Sequence, residues 1–337
     1  MPRFVTDAFG LVTVSLIFIF AILGVFCIVY SVYFRSRIQN QGLSVSDSIT
    51  RRLGYFNGPW IIRIVLIVVA IWWGFGEVIR LSLLKGDGRL FTKPAWQKGV
   101  CKFYIISNIG FAEPSLLLLI VYLLHASLQK REHGALNHGW NMKAAGYTFL
   151  LCLPMFLVQL TLVLVEPMIS NKKHGTEMKI QKYFTSSTTS TSIKSSLTGT
   201  EEVYTYTTCT YPLINTVVLG FFDSVLVIYI SCLGYGMVSS VINKGLERRI
   251  YFLLFSVVSF FPLRVFLLGF SILPDPGSLV YEAIVFLAFL MLLLCALVGV
   301  CMLVYYPVAD SLALRNLRRY MELEDISVHD DIITYYT

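Results

Sequence analysis

Seven ionisable side chains lie inside long apolar stretches of this chain: Arg63, Glu77, Arg80, Glu113, Asp223, Arg264 and Glu282. Charge held in hydrocarbon is costly, so each is a candidate for ion pairing, proton transfer or ligand binding. Acids and bases are close to balance, which favours pairing within the protein. Arg63 lies about one turn from the end of its stretch and is expected to extend toward the headgroups. Glu77 and Arg80 are three residues apart and can pair on one helix. Glu282 is near a stretch end and is expected to be wet. Glu113, Asp223 and Arg264 fall near the middle of theirs. A buried polar core in which Arg264 bridges Asp223 and Glu113 is the functional reading. A static structural ion pair is the other, and the sequence leaves both open.

The neighbours of these residues differ in character. Asp223 belongs to a stripe of small or polar residues, Thr216, Gly220, Asp223, Ser231 and Gly234, of the kind that lets helices approach closely. Arg264 shares a face with Phe260 and Ser271 and follows Pro262, whose missing N–H loosens a helix locally. Glu113 shares its face with Ile106, Ile109, Leu117 and Ile120, whereas Tyr104, Asn108, Phe111 and Ser115 lie around the other side. Pro114 follows it directly, with room for a kink.

Motifs of enzymes are absent: there is no Gly-rich phosphate loop, no Gly-x-Ser-x-Gly and no His-Glu-x-x-His. His125, His133 and His138 are near one another, but their spacing matches no metal-ligand pattern and reads as solvated loop histidine. The expectation is a protein that is not an enzyme, with no cofactor and no metal.

The elements that must hold these residues follow from composition. Of 337 residues, 56% are hydrophobic and only 14% charged, well below the ~25% charged typical of soluble domains. The net charge of +7 is carried in short clusters between apolar runs, which points to a membrane surface and not to nucleic acid. A helix needs about 20 apolar residues to cross the ~30 Å hydrocarbon core. Seven stretches qualify, at about 9–34, 60–84, 101–128, 144–165, 212–238, 250–273 and 279–305. The fold class is therefore all-α, a seven-transmembrane helix bundle over 1–313, with a tail at 314–337. No internal repeat is visible. The first stretch exceeds a signal-peptide core and ends in Arg35 and Arg37, so it reads as an anchor that stays in the membrane. Pro274-Asp275-Pro276-Gly277 is a tight turn that makes the sixth and seventh spans antiparallel neighbours.

Lys and Arg are almost evenly divided between the two sides. Lysines of the long 166–211 loop weigh less than the two Arg flanking the first span, which favours an outside amino terminus and a cytoplasmic carboxyl terminus. In that loop, 185–200 is nearly all Ser and Thr and reads as a solvated turn, with arms at 178–185 and 203–211 that either pair as a hairpin or stay irregular. Cys101 opens the third span and Cys209 precedes the fifth. The other cysteines lie within apolar runs, so a disulfide between these two is expected on an oxidising side. Trp72, Trp73 and Trp96 at one end, and Tyr305 and Tyr306 at the other, read mostly as interfacial belts. Tyr305-Tyr306-Pro307 is expected to stop the last span. Val308, Leu312, Ala313, Leu317 and Met321 then form one face of an interfacial helix, opposite Arg315, Arg318 and Arg319. Tyr320 and Leu323 fit a Tyr-x-x-apolar sorting signal and equally fit that amphipathic stripe.

Seven spans, a Cys at the start of the third, another before the fifth and an amphipathic helix after the seventh together resemble the architecture of G-protein-coupled receptors. The third span ends Leu128-Gln129-Lys130-Arg131-Glu132-His133, where that family has Asp-Arg-Tyr, and the seventh lacks its Asn-Pro-x-x-Tyr. Trp72-Trp73-Gly74-Phe75-Gly76-Glu77 and Gly110-Phe111-Ala112-Glu113-Pro114 give a texture similar to plant-type orphan seven-span proteins. These likenesses imply a receptor-like or scaffolding protein, with an unknown small ligand or ion at the polar core and a cytoplasmic protein partner at short basic loops. The rival expectation is a proton- or ion-coupled transporter using Glu113 and Asp223. A plasma-membrane location is favoured over an endomembrane one.

Overall fold

Apolar side chains dominate stretches that must satisfy every backbone donor and acceptor internally, and the chain accordingly forms long helices. The computed structural model describes residues 2–41, 59–81, 93–133, 138–170, 185–195, 201–240, 244–310 and 312–313. Its elements are α1 (Pro2–Gln41), α2 (Trp60–Arg80), α3 (Pro94–Tyr104), a π-helical segment π1 (Ile105–Ala112), α4 (Glu113–His133) and α5 (His138–Ser170). Then come β1 (Ser187–Ser195), β2 (Glu201–Cys209), α6 (Leu213–Ser240), α7 (Lys244–Phe270), α8 (Leu279–Val300) and a second π segment, π2 (Cys301–Tyr305). Among the described residues, seven helical spans are long and apolar enough to cross a membrane, with α3, π1 and α4 forming the third and α8 with π2 the seventh. The protein is a multi-pass integral membrane protein.

The third span is the axis. The most apolar window of this span is 83% buried, against 22% for α1, so the first helix is peripheral and the third is enclosed. α1 packs on α2 and α8, while α6, α7 and α8 pack in succession and α6 closes back on α4. On α2, Ile62, Leu66, Ile67, Ala70, Trp73, Glu77 and Arg80 turn inward at helical spacing, whereas Val68, Trp72 and Phe75 face outward. Between α2, π1 and α5 an outward-facing apolar groove of about 550 Å³ is lined by Trp72, Phe103, Ile106, Phe111 and Phe156. Ser278 caps α8 by accepting a bond from the Tyr281 amide at 3.2 Å, and Gly277 takes the positive φ (87°) of the turn before it.

Two expectations about element ends are corrected. Within the Ser/Thr run expected to be a turn, 187–195 form strand β1, paired antiparallel with β2 from Ser187 opposite Cys209 to Ser195 opposite Glu201, while 196–200 and the expected arm over 178–184 lie outside the described residues. Thr is β-branched and favours a pleated chain, and the tyrosines and threonines of β2 provide its partner strand. The seventh span does not stop at Tyr305-Tyr306-Pro307, because helix continues to Asp310. The amide of Tyr306 bonds the Cys301 carbonyl five residues back, and this wide turn accommodates a proline that has no donor of its own. Of the interfacial-helix face, Leu317 and Met321 lie outside the described residues, as do the candidate signal Tyr320 and Leu323 and the basic residues Arg51, Arg52, Arg315, Arg318 and Arg319.

Candidate functional site

At the level of Trp73 to Arg80, helices α2, α4, α7 and α8 converge on Arg264, which is 1% exposed. All three of its guanidinium nitrogens donate. Nε reaches Glu113 Oε2 at 3.1 Å and Nη2 binds Glu113 Oε1, a bidentate fork. Nη2 also reaches Glu77 Oε1 at 3.2 Å, and Nη1 donates to the Ala288 carbonyl at 2.9 Å. Glu77 and Glu113 are each fully buried. Such a fork in a dry interior is strong because each charge has a geometrically matched partner.

The cluster extends toward the disulfide. Arg80 Nε donates to Glu77 Oε2 at 3.1 Å, and its guanidinium lies 5.7 and 5.5 Å from the ring centroids of Tyr104 and Tyr211. Tyr104 gives its proton to Glu77 Oε1 at 2.7 Å. Its hydroxyl oxygen is therefore the acceptor for Tyr211, at 2.9 Å. Burial pushes the Tyr211 phenol up from its ordinary range, which keeps it a neutral donor. Tyr211 follows Cys209 by two residues, and the Cys209 carbonyl accepts from Tyr281 at 2.6 Å. A hydrogen-bonded path thus runs from Tyr211, two residues after the disulfide's Cys209, through Tyr104 and Glu77 to Arg264.

Local structure explains how the third span contributes. Over π1 the backbone bonds skip five residues, so the Glu113 amide reaches the Asn108 carbonyl. Pro114 has no N–H to offer the Gly110 carbonyl, which removes one α-helical bond at this point. The extra residue turns Tyr104, Asn108 and Glu113 toward one side. Asn108 donates to the Trp73 carbonyl at 2.9 Å, and Trp73 Nε1 lies 3.4 Å from Glu113 Oε1. Gly76 makes room, since a Cβ there would meet Asn108 Oδ1 at 2.0 Å. Trp73 also stacks on Phe289 with ring centroids 5.7 Å apart.

Cys101 and Cys209 are bonded, with Cα atoms 5.3 Å apart and a sequence separation of 108. Cys101 lies two turns inside α3, which begins at Pro94, so it does not open the span. The hairpin is fastened further by the Thr207 amide on Gln97 Oε1 (3.1 Å), the Ser186 amide on Glu166 (3.0 Å) and Lys102 with Glu166 (3.3 Å). At the opposite end Arg249 pairs with Asp310 at 2.5 Å and sits 4.4 Å from the Tyr306 ring centroid.

The structure brings Arg264 to Glu113 but not to Asp223. Asp223 is 3% exposed, and neither carboxylate oxygen has a hydrogen-bond partner among the described residues. Glu77 takes the place expected for it, because α2 and not α6 presents a carboxylate to the guanidinium. Glu77 and Arg80 are thus members of the central cluster and not a secondary pair. Arg63 is 8% exposed, enclosed by protein where headgroup contact was expected. Trp73, expected in the interfacial belt, is fully buried, whereas Trp72 is half exposed and bonds Ser107 at 2.8 Å. Trp73, Tyr104, Asn108, Tyr211 and Tyr281 are site residues that the sequence reading missed. The spacing Trp73, Glu77, Arg80 on one face of α2 is the signal that would have found the first.

A family model described as "Uncharacterised conserved protein UCP031277" matches residues 1–322. No curated protein and no solved structure matches the chain.

Proposed function

The chain belongs to that family, and we propose that it is a receptor-like membrane protein in which the Arg264 cluster transmits changes from the disulfide-capped face to the opposite face. The observation that carries the reading is the hydrogen-bonded path Tyr211, Tyr104, Glu77, Arg264, which starts two residues after the disulfide's Cys209 and leads into the bundle. On this reading the capped face is outside, the carboxyl terminus is cytoplasmic, and a protein partner binds the basic inner loops of a plasma-membrane protein. A small ligand or ion acts through the cluster, and no bond is made or broken in a substrate. Reporters fused at Thr189 and Thr337 are expected on opposite sides, with Thr337 cytosolic. Both on one side, or the two inverted, would reject this topology.

Coupling is tested by amide hydrogen exchange in lipid nanodiscs. Reduction of Cys101–Cys209 should speed exchange at the cap and also at 244–250 and 306–310, where Arg249 meets Asp310. In Arg264→Met the distant response should vanish. A response confined to the cap would overturn transmission across the bundle. Asp223, a midspan carboxylate with no hydrogen-bond partner among the described residues, favours a second reading, a proton-coupled carrier, whose mark would be pH-driven flux in proteoliposomes.

A further inference from the structure

Five ionisable groups occupy the centre of the bundle: Glu77, Glu113 and Asp223 against Arg80 and Arg264. Glu77, Glu113, Arg80 and Arg264 satisfy one another, and their charges cancel. Asp223 is left over. Its two oxygens are buried with no donor among the described residues, and an ionised carboxylate is not sustained in such a setting. The charged groups that act on it are Glu113 from α4 and Arg264 from α7. Both neighbours stand on adaptable backbone. Glu113 directly follows π1, and Arg264 lies two residues after Pro262 within α7. α6 and α7 are in close contact here, since a Cβ on Gly220 would lie 2.7 Å from Val265.

We propose that Asp223 is a proton-binding site and the second resting place of the Arg264 guanidinium. In the state described, Asp223 is a neutral acid and Arg264 is held by Glu113. In the alternative state the O–H bond at Asp223 breaks, one forms at Glu113, and Arg264 crosses to the Asp223 carboxylate. The net charge of the cluster is the same in both, and no electron pair leaves the protein. Glu77 keeps Arg80 throughout. The proposal rests on the receptor-like reading only for the link to the far face. For the cluster itself it adds that one retained proton, by its place on Asp223 or on Glu113, decides which carboxylate holds Arg264.

The test is infrared spectroscopy of the full chain in nanodiscs at neutral pH. Wild-type protein should show a protonated-carboxyl C=O band that moves when isotope-labelled aspartate is incorporated. This measurement needs no variant, and absence of an aspartate-dependent band overturns the proton site. Asp223→Asn should lose the band, and its persistence there also overturns the assignment. Glu113→Gln should lose it as well, because Arg264, deprived of one carboxylate, draws Asp223 into ionisation. A band that survives in Glu113→Gln overturns the exchange of partners. The receptor-like reading falls separately, by failure of the distant exchange response while the aspartate band is present.

Discussion

Removing one member of a buried ion pair leaves the other without partner or water, whereas removing both leaves a void of matched shape. Arg264→Leu or Glu113→Leu is therefore expected to cost about 3–5 kcal/mol in unfolding measurements in mild detergent. The double variant should recover part of that, with a coupling energy of about 1–3 kcal/mol. Arg264→Leu with Asp223→Leu should show a smaller coupling than Arg264→Leu with Glu113→Leu, since no hydrogen bond joins Arg264 to Asp223 in this conformation. At this scale the sequence is a good guide to which residues matter and a poor one to who meets whom. Glu113 and Arg264 stand out because a charge in midspan is rare. Glu77 is legible as a local partner of Arg80, yet spacing along one helix says nothing of the helix that faces it. Asp223 reads as a partner of Arg264 because both lie in midspan. Depth does not fix the angle at which a side chain leaves its helix.

The third span shows what a fixed period hides. At 3.6 residues per turn Glu113 falls on a different face from Tyr104 and Asn108, and that is how it reads in the sequence. The wide turns of π1 bring Asn108 and Glu113 into register, five residues apart. Only Pro114 hints at this, and a proline announces a lost bond without saying how the chain accommodates it. Replacing a proline within a helix ordinarily restores a bond and favours the helix by up to ~3 kcal/mol. Pro114→Ala should run the other way. Freed to become α-helical, 105–112 would swing Glu113 off Arg264, and thermal stability in detergent should fall. A gain in stability would show that π1 is held by something other than this proline.

Across the whole molecule the seven spans and their order are legible, because hydrocarbon thickness imposes a length that composition reveals directly. The strand within the Ser/Thr run is less so: polarity argues for solvent, and only pairing with β2 makes β1 a strand. The disulfide joins those two readings, since Cys209 ends β2 and Cys101 lies in α3. Cys209→Ser is expected to cost about 2–5 kcal/mol, given the 108-residue separation it closes. It should also open 185–209 to protease, while in the unreduced wild type the two cysteine peptides stay linked after digestion. Rapid alkylation of Cys101 in untreated protein would contradict the bond.

Glu113 and Arg264 are 151 residues apart, and Glu77 and Arg264 are 187. At synthesis rates of about 5–20 residues per second, the second and third spans enter the membrane roughly 10–40 s before their cation leaves the ribosome. During that interval Glu77 and Glu113 have only Arg80 between them, and the nascent chain is expected to be a substrate for membrane quality control. Arrest of translation after α6 should yield a short-lived product, and arrest after α7 a longer-lived one, in a pulse-chase comparison. The timing of a single arginine thus governs how long the unfinished protein is exposed to degradation.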